Sequence, residues 1–80
     1  MDDVEIVHRI GELVGEEHQL EASHEGTPLS DEELERLRSL EVALDQCWDL
    51  LAQRRARRAA GQDPDDARVR PAEVVEHFRQ

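Results

Sequence analysis

The sequence predicts an all-α fold: an antiparallel two-helix coiled-coil hairpin followed by a short C-terminal helix. The main observation is an apolar stripe whose residues follow at steps of three and four, as on one face of an α-helix. The stripe consists of Leu37, Leu40, Leu44, Cys47 and Leu51. A second apolar pattern precedes it, and a short segment with glycine and proline separates the two. Because short connections favour antiparallel neighbours, the two helices are expected to run in opposite directions. Residues 1–80 are expected to form one helical domain that self-associates.

The first helix is predicted over about residues 3–23. Its stripe contains Ile6, Ile10, Leu13 and Leu20, and is widened by Val7 and Val14. The helix dipole favours negative charge at its start, which is occupied by Asp2, Asp3 and Glu5. Gly11 and Gly15 each cost roughly 1 kcal/mol relative to alanine in a helix interior. This helix is therefore expected to be the weaker one and to depend on its partner.

The second helix, predicted over about residues 31–60, has a well-marked start. Gly26 can end the first helix in the left-handed conformation, and Pro28 cannot continue it. Ser30 and Glu33 then have the spacing of a capping box, in which two residues exchange hydrogen bonds between side chain and backbone. These signals agree on a helix that begins directly after Ser30.

The end of the second helix is rich in arginine, which suits the negative C-terminal end of the helix dipole. The residues concerned are Arg54, Arg55, Arg57 and Arg58, followed by Gly61 as a terminator. Folding at Thr27 brings the acidic start of the first helix beside Arg54 and Arg55. Each exposed pair contributes only about 0–1 kcal/mol, so these charges select the antiparallel arrangement more than they stabilise it.

A short third helix is predicted over about residues 72–79, with Pro71 in its first turn. One of its faces would carry Val74, Val75 and Phe78. Trp48 lies beside the stripe of the second helix, where a large side chain is usually buried. The sequence leaves two ways open: burial under the third helix, or burial between chains.

Composition narrows the classes of function. The chain carries 20 Asp and Glu against 10 Arg, a net charge of −10, which argues against nucleic acid as a partner. Cys47 is the lone cysteine, so an internal disulfide is excluded and a reducing, cytoplasmic location is expected. No signal peptide or membrane-spanning stretch is visible. Because a chain of 80 residues can bury only a small core, it is expected to gain stability by self-association, as a homodimer that forms a four-helix bundle.

Several runs of residues are similar to those of a known family. They are Glu16-Glu17-His18, residues 44–51 with 53–56, Asp63-Pro64-Asp65, residues 67–71 and residues 73–76. In these runs the chain resembles the short actinobacterial proteins grouped as domain of unknown function 2630. The resemblance covers nearly the whole chain and implies a cytoplasmic bacterial helical protein. It implies no particular activity and no functional residues.

One group of residues has the pattern of a metal site. Glu17, Glu21 and His24 lie on one face of the first helix, and Glu-x-x-His is the ligand pattern of di-iron carboxylate bundles. A dimer would have to supply the second motif, since the second helix contains no histidine. A helical bundle that binds a metal ion or small ligand is therefore the alternative function. A solvated charged face is the simpler interpretation, and no cofactor is expected.

The leading prediction is a non-catalytic protein–protein interaction module, such as a small cytoplasmic regulator or adaptor. No catalytic pattern accompanies the stripes, so no enzymatic activity is expected. The expected partners are a second copy of the chain and an unidentified cytoplasmic protein, with neither nucleic acid nor a membrane involved. The predicted contact residues are Trp48, Leu51, Arg57, Arg58, Arg68, Val74 and Phe78, with the three arginines as a polar rim around the apolar contact. Arg57 and Arg58 are expected to extend past the acidic end of the first helix.

Overall fold

The computed structural model describes residues 1–23 and 26–78, and for His77 and Phe78 it describes the backbone alone. This part of the chain forms three α-helices: α1 (Asp3–Ala22), α2 (Asp31–Ala59) and α3 (Ala72–Phe78). A 3-10 helix at Pro64–Asp66 lies between α2 and α3. The two long helices pack against each other, and both the 3-10 helix and α3 pack on α2. The predicted all-α hairpin with a short C-terminal helix is confirmed.

Both long helices begin with a capping box. In α2 the Glu33 N–H donates to Ser30 Oγ at 3.2 Å, and the Ser30 N–H donates to Glu33 Oε1 at 3.0 Å, which confirms that prediction. In α1 the Glu5 N–H donates to Asp2 Oδ1 at 2.8 Å, and the Asp2 N–H donates to Glu5 Oε1 at 3.1 Å. The carboxylates of Asp2 and Glu5 are thus used at the start of α1, and of the three acidic residues there it is Asp3 that pairs with α2.

Gly61 lies two residues after α2 and ends it, as predicted. The C-cap of α1 is instead Ser23, and Gly26, which was predicted to end that helix, lies three residues beyond the cap. Gly26 has a φ of 80° and Gly61 a φ of 73°, both in the left-handed region that a residue without a Cβ adopts at little cost. After α2 the Gln62 N–H donates to the Arg57 carbonyl at 2.8 Å, the long hydrogen bond of a Schellman motif. This motif stops α2 and turns the chain back along it.

Ion pairs at the two ends of the hairpin show that α1 and α2 run antiparallel. Near the turn, Arg36 Nη2 lies 2.5 Å from Glu16 Oε2. At the open end, Arg54 Nε lies 2.6 Å from Asp3 Oδ1. The expectation that the acidic start of α1 would meet Arg54 is confirmed. It is wrong for Arg55, which lies on the outer side of α2 and is exposed.

The core lies between α1 and α2 and continues under the segment after α2. Its buried apolar side chains are Ile6, Ile10, Leu13, Leu40, Leu50, Leu51 and Val75. On α1 the predicted stripe is therefore right at its first three positions, and Leu20 and Val14 are half-buried. Val7 was expected to widen the stripe but is 54% exposed. It lies about 100° around the helix from Ile6, which faces α2 directly.

On α2 the buried face is rotated relative to the predicted stripe. Leu40 and Leu51 are buried as expected. The half-buried members of the stripe are Leu37, Leu44 and Cys47. Leu50, outside the predicted stripe, is only 6% exposed. The chain after α2 folds back over the side on which Leu50 lies, and Ala67 of that chain packs against the core.

Residues 64–71, called here the return segment, run back along α2. Gln53 Nε2 donates to the Arg68 carbonyl at 2.8 Å, and Gln46 Nε2 donates to the Arg70 carbonyl at 3.1 Å. Two glutamines on α2 thus satisfy backbone carbonyls that no regular secondary structure would satisfy. The docking of the return segment on α2 was not predicted from the sequence.

The short helix α3 continues the return segment along α2. Val75 is 4% exposed and fills the contact, whereas Val74 is 38% exposed and turns outward. The predicted shared face of the third helix therefore holds for Val75 and not for Val74. The side chain of Phe78, the third member of that face, lies outside the described residues.

Candidate functional site

A cluster of charged residues closes the open end of the hairpin. Arg54, at 6% exposure, is its centre. Its Nε donates to Asp3 Oδ1 at 2.6 Å and its Nη1 donates to Asp65 Oδ1 at 2.9 Å. Nη1 also donates to the Pro64 carbonyl at 3.2 Å. Arg58 donates to both carboxylate oxygens of Asp3, so Asp3, Arg54, Arg58 and Asp65 form what we call the Arg54 cluster.

The Arg54 cluster is electrostatically self-contained. Hydrogen bonds from Arg58, and then from Arg54, lower the pKa of Asp3 from its ordinary 3.8 to about 2. Asp3, and then Asp65, raise the pKa of Arg54. Asp3 and Arg54 are therefore both charged at neutral pH, and Nε and Nη1 of the buried guanidinium each donate a hydrogen bond to a carboxylate. The cluster joins α1, α2 and the return segment, so its role is to hold these elements together.

A second ion pair fixes the return segment halfway along α2. Arg70 Nε donates to Asp49 Oδ2 at 2.8 Å, and Arg70 Nη2 donates to Asp49 Oδ1, a bidentate arrangement. Gln53 Nε2 donates to Asp49 Oδ2 at 2.9 Å. Arg70 lowers the pKa of Asp49 against the burial that would raise it. Sequence reasoning missed this pair because its members are 21 residues apart and only the Asp49–Gln53 spacing of four is a local signal.

Two of the three arginines predicted as a polar rim are engaged within the chain. Arg58 binds Asp3 in the Arg54 cluster. The guanidinium of Arg68 donates to the Asp65 carbonyl at 3.2 Å. Arg57 is half-buried, and no hydrogen bond or ion pair of its side chain is found within the described residues. The assumption that Arg58 extends past the acidic end of α1 is therefore wrong, because Asp3 reaches it.

The apolar residues predicted for the contact surface separate into inner and outer positions. Leu51 is 2% exposed and lies in the core between α1 and α2, so its side chain is not on the surface of this conformation. Val74 is 38% exposed at the start of α3. Phe78 belongs to α3, but its side chain is outside the described part of the chain. Trp48 is the large apolar residue of the set that reaches solvent in the middle of α2.

Trp48 lies on the side of α2 that the return segment leaves open. It is 49% exposed, so burial under the third helix, one of the two predicted arrangements, does not occur. Helical periodicity places five further residues on this side. Together with Trp48 they form what we call the Trp48 face: Leu37, Glu41, Leu44, Trp48, Ala52 and Arg55. Leu37 and Leu44 are half-buried at its inner margin, and the other members are exposed.

The opposite edge of the hairpin is covered by the chain itself. There a cavity of about 190 Å³ lies among Leu13 of α1, Leu50 of α2 and Val69 of the return segment. Cys47 also lines it, and burial raises the pKa of its thiol, which disfavours the reactive thiolate. The return segment thus makes the two edges of the hairpin unequal, and the Trp48 face is the open one.

The described residues contain no cluster of three His, Cys, Asp or Glu side chains that could hold a metal ion. Of the predicted motif, Glu17 is half-buried and Glu21 is exposed on α1. His24 lies outside the described residues, so the metal site stays a prediction. Within the same described ranges, no helix is long and apolar enough to cross a membrane.

The fold and the open face define a small helical-hairpin protein with a folded-back C-terminal segment. The chain belongs to the family described as protein of unknown function DUF2630, which it matches over residues 2–80. This confirms the resemblance found in the sequence. Uncharacterised proteins of Mycobacterium bovis and of two strains of Mycobacterium tuberculosis are 50% identical to it over 78 residues, which is 95% of this chain and 88% of theirs. No solved structure matches the chain.

Proposed function

We propose that this protein is a non-catalytic protein–protein interaction module that binds through the Trp48 face. In this proposal it acts in the cytoplasm, as a small regulator or adaptor. The single observation that carries the proposal is the exposure of Trp48, at 49%, in the middle of the edge that the return segment does not cover. Tryptophan is among the residues most enriched at the centres of protein interfaces.

The free energy available at this face supports binding. A large aromatic side chain removes about 150–250 Å² from water when fully buried. With 49% of Trp48 exposed, covering the remainder would contribute roughly 2–3 kcal/mol at about 25 cal/mol per Å². The half-buried Leu37 and Leu44 add apolar area beside it. The face therefore offers an aromatic centre with an apolar margin, as expected of an interface core.

The polar margin of this face differs from the predicted rim. Because Arg58 and Arg68 are bound within the chain, they contribute little to a contact. Glu41 and Arg55 are exposed on the Trp48 face, and the described residues provide neither side chain with an ion pair. In the proposal these two charges flank the aromatic centre and orient the partner.

Site-specific photo-crosslinking in living cells tests the proposal. A benzophenone amino acid replaces Ala52, which is exposed one turn from Trp48. In the matched control it replaces Glu35, which is also exposed but lies on another side of α2. We expect covalent protein adducts from position 52 and few from position 35. The additional change Trp48→Glu should abolish the adducts at position 52.

Equal adduct formation at the two positions, or adducts that persist with Trp48→Glu, would contradict the proposal. So would the absence of adducts at position 52 when the crosslinker is incorporated and the chain remains helical by circular dichroism. Because the readout is a covalent adduct of any protein, this experiment tests the surface independently of the identity of its partner.

A further inference from the structure

We propose that the Trp48 face binds the same face of a second copy, with the two α2 helices antiparallel about a two-fold axis that passes through Trp48. This inference rests on the proposed function and adds the partner and the register. It follows from the order of charges and side-chain sizes along the Trp48 face, which is self-complementary in this one arrangement.

The charges are placed symmetrically about Trp48. Glu41 precedes it by seven residues and Arg55 follows it by seven residues. Seven residues are almost two helical turns, or about 10 Å, so all three lie on one side of α2. In an antiparallel pair centred on Trp48, Glu41 of one copy lies opposite Arg55 of the other. The two-fold symmetry then repeats this ion pair on the far side of the axis.

The side-chain sizes follow the same symmetry. Leu44 and Ala52 lie four residues before and after Trp48, so a large side chain meets a small one. Leu37 lies eleven residues before Trp48, and Ala59, beyond the end of the Trp48 face but on the same side of α2, lies eleven residues after it, which gives a second such match. Alternating large and small residues across facing positions lets two helices interdigitate at normal packing density. A parallel pair would instead place Glu41 against Glu41 and Arg55 against Arg55, which repel.

The charges that the register requires are available. Both are exposed on the side opposite the return segment, and the hydrogen bonds and ion pairs of the described residues do not engage them. The arginines that face inward are engaged: Arg54 and Arg58 bind Asp3, and Arg70 binds Asp49. The hairpin thus satisfies the arginines that face inward and leaves Arg55 for a partner.

Charge reversal tests the register. Glu41→Arg creates facing arginines and Arg55→Glu creates facing glutamates, so each change should raise the dissociation constant of the homodimer roughly tenfold or more. The double variant Glu41→Arg/Arg55→Glu exchanges the charges and should restore the dimer. Mixing the two single variants should produce heterodimers well above random pairing, since both ion pairs are then restored. Sedimentation equilibrium measures the constants, and native mass spectrometry counts the heterodimers.

Matched controls use the same charge changes away from the face. Glu35→Arg corresponds to Glu41→Arg, and Arg57→Glu corresponds to Arg55→Glu, because positions 55 and 57 point about 200° apart around α2. Neither control should change the dissociation constant by more than about twofold. The chain contains one tryptophan and no tyrosine, so its emission spectrum reports Trp48 alone. That spectrum should shift to shorter wavelength as the wild-type chain dimerises.

The outcomes separate the inference from the proposed function. The register is overturned if the double variant does not restore the dimer. It is also overturned if the single variants have the same dissociation constants as their controls. A chain that remains monomeric but forms adducts with another protein at position 52 overturns self-association and leaves the interaction module standing. A monomer without adducts overturns both. Circular dichroism of every variant shows that the changes act on association and not on folding.

Discussion

Replacing Leu51 by alanine distinguishes a core role for this residue from a contact role. The side chain is 2% exposed, so the change removes nearly all of its buried surface and leaves a cavity between α1 and α2. Substitutions of this kind cost about 2–5 kcal/mol. An 80-residue domain has roughly 4–12 kcal/mol of total stability, at about 0.05–0.15 kcal/mol per residue. We therefore expect Leu51→Ala to remove a large part of the free energy of unfolding.

Trp48→Ala is the comparison, because Trp48 is 49% exposed. Since about half of its surface already contacts water, we expect it to cost roughly 1–2 kcal/mol of folding free energy. Urea unfolding followed by circular dichroism, at one low protein concentration, measures both effects without a contribution from association. The assignment of Leu51 to the core would be refuted if Leu51→Ala cost less than Trp48→Ala, or if it weakened binding while leaving unfolding unchanged.

Three further changes test other parts of the fold. Because the folded pKa of Asp3, about 2, lies below the ordinary 3.8, the Arg54 cluster should stabilise the fold above about pH 4 and lose this contribution as the pH falls towards 2. Urea unfolding across that range should show the fall in unfolding free energy, and Asp3→Asn should make this fall smaller. Ser30→Ala should lower the unfolding free energy by about 1 kcal/mol, measured in urea, because it removes the N-cap of α2. Gly15→Ala should raise it by about 0.5–1 kcal/mol, since a Cβ there meets open space; a decrease in the melting temperature would contradict this.

The long helices could be predicted because their signals are local. The capping box of Ser30 and Glu33 spans one helical turn, and Gly61 lies two residues after the last residue of α2. The α1 stripe was right at Ile6 and Ile10 because helical periodicity alone decides which residues share a side. Each of these features needs only neighbouring residues, so one sequence is enough to find it.

The contacts that distinguish the two edges of the hairpin could not be predicted. The pair Asp49–Arg70 joins residues 21 apart, and the Arg54–Asp3 hydrogen bond joins residues 51 apart. No local spacing indicates which arginine meets which carboxylate, since several of each lie at the open end. Sequence reasoning therefore selected Arg58 and Leu51 for a contact surface, whereas one binds Asp3 and the other lies in the core.

The amino-acid order alone determined that this chain forms two long rods, where each begins and ends, and that they pair in opposite directions. It also placed Glu41, Trp48 and Arg55 at equal intervals, because helical periodicity converts spacing into position on a face. Tertiary structure decided which face remains open. The return segment covers one edge through the Arg54 cluster and the Asp49–Arg70 pair, and such long-range contacts depend on where the whole chain lies in space.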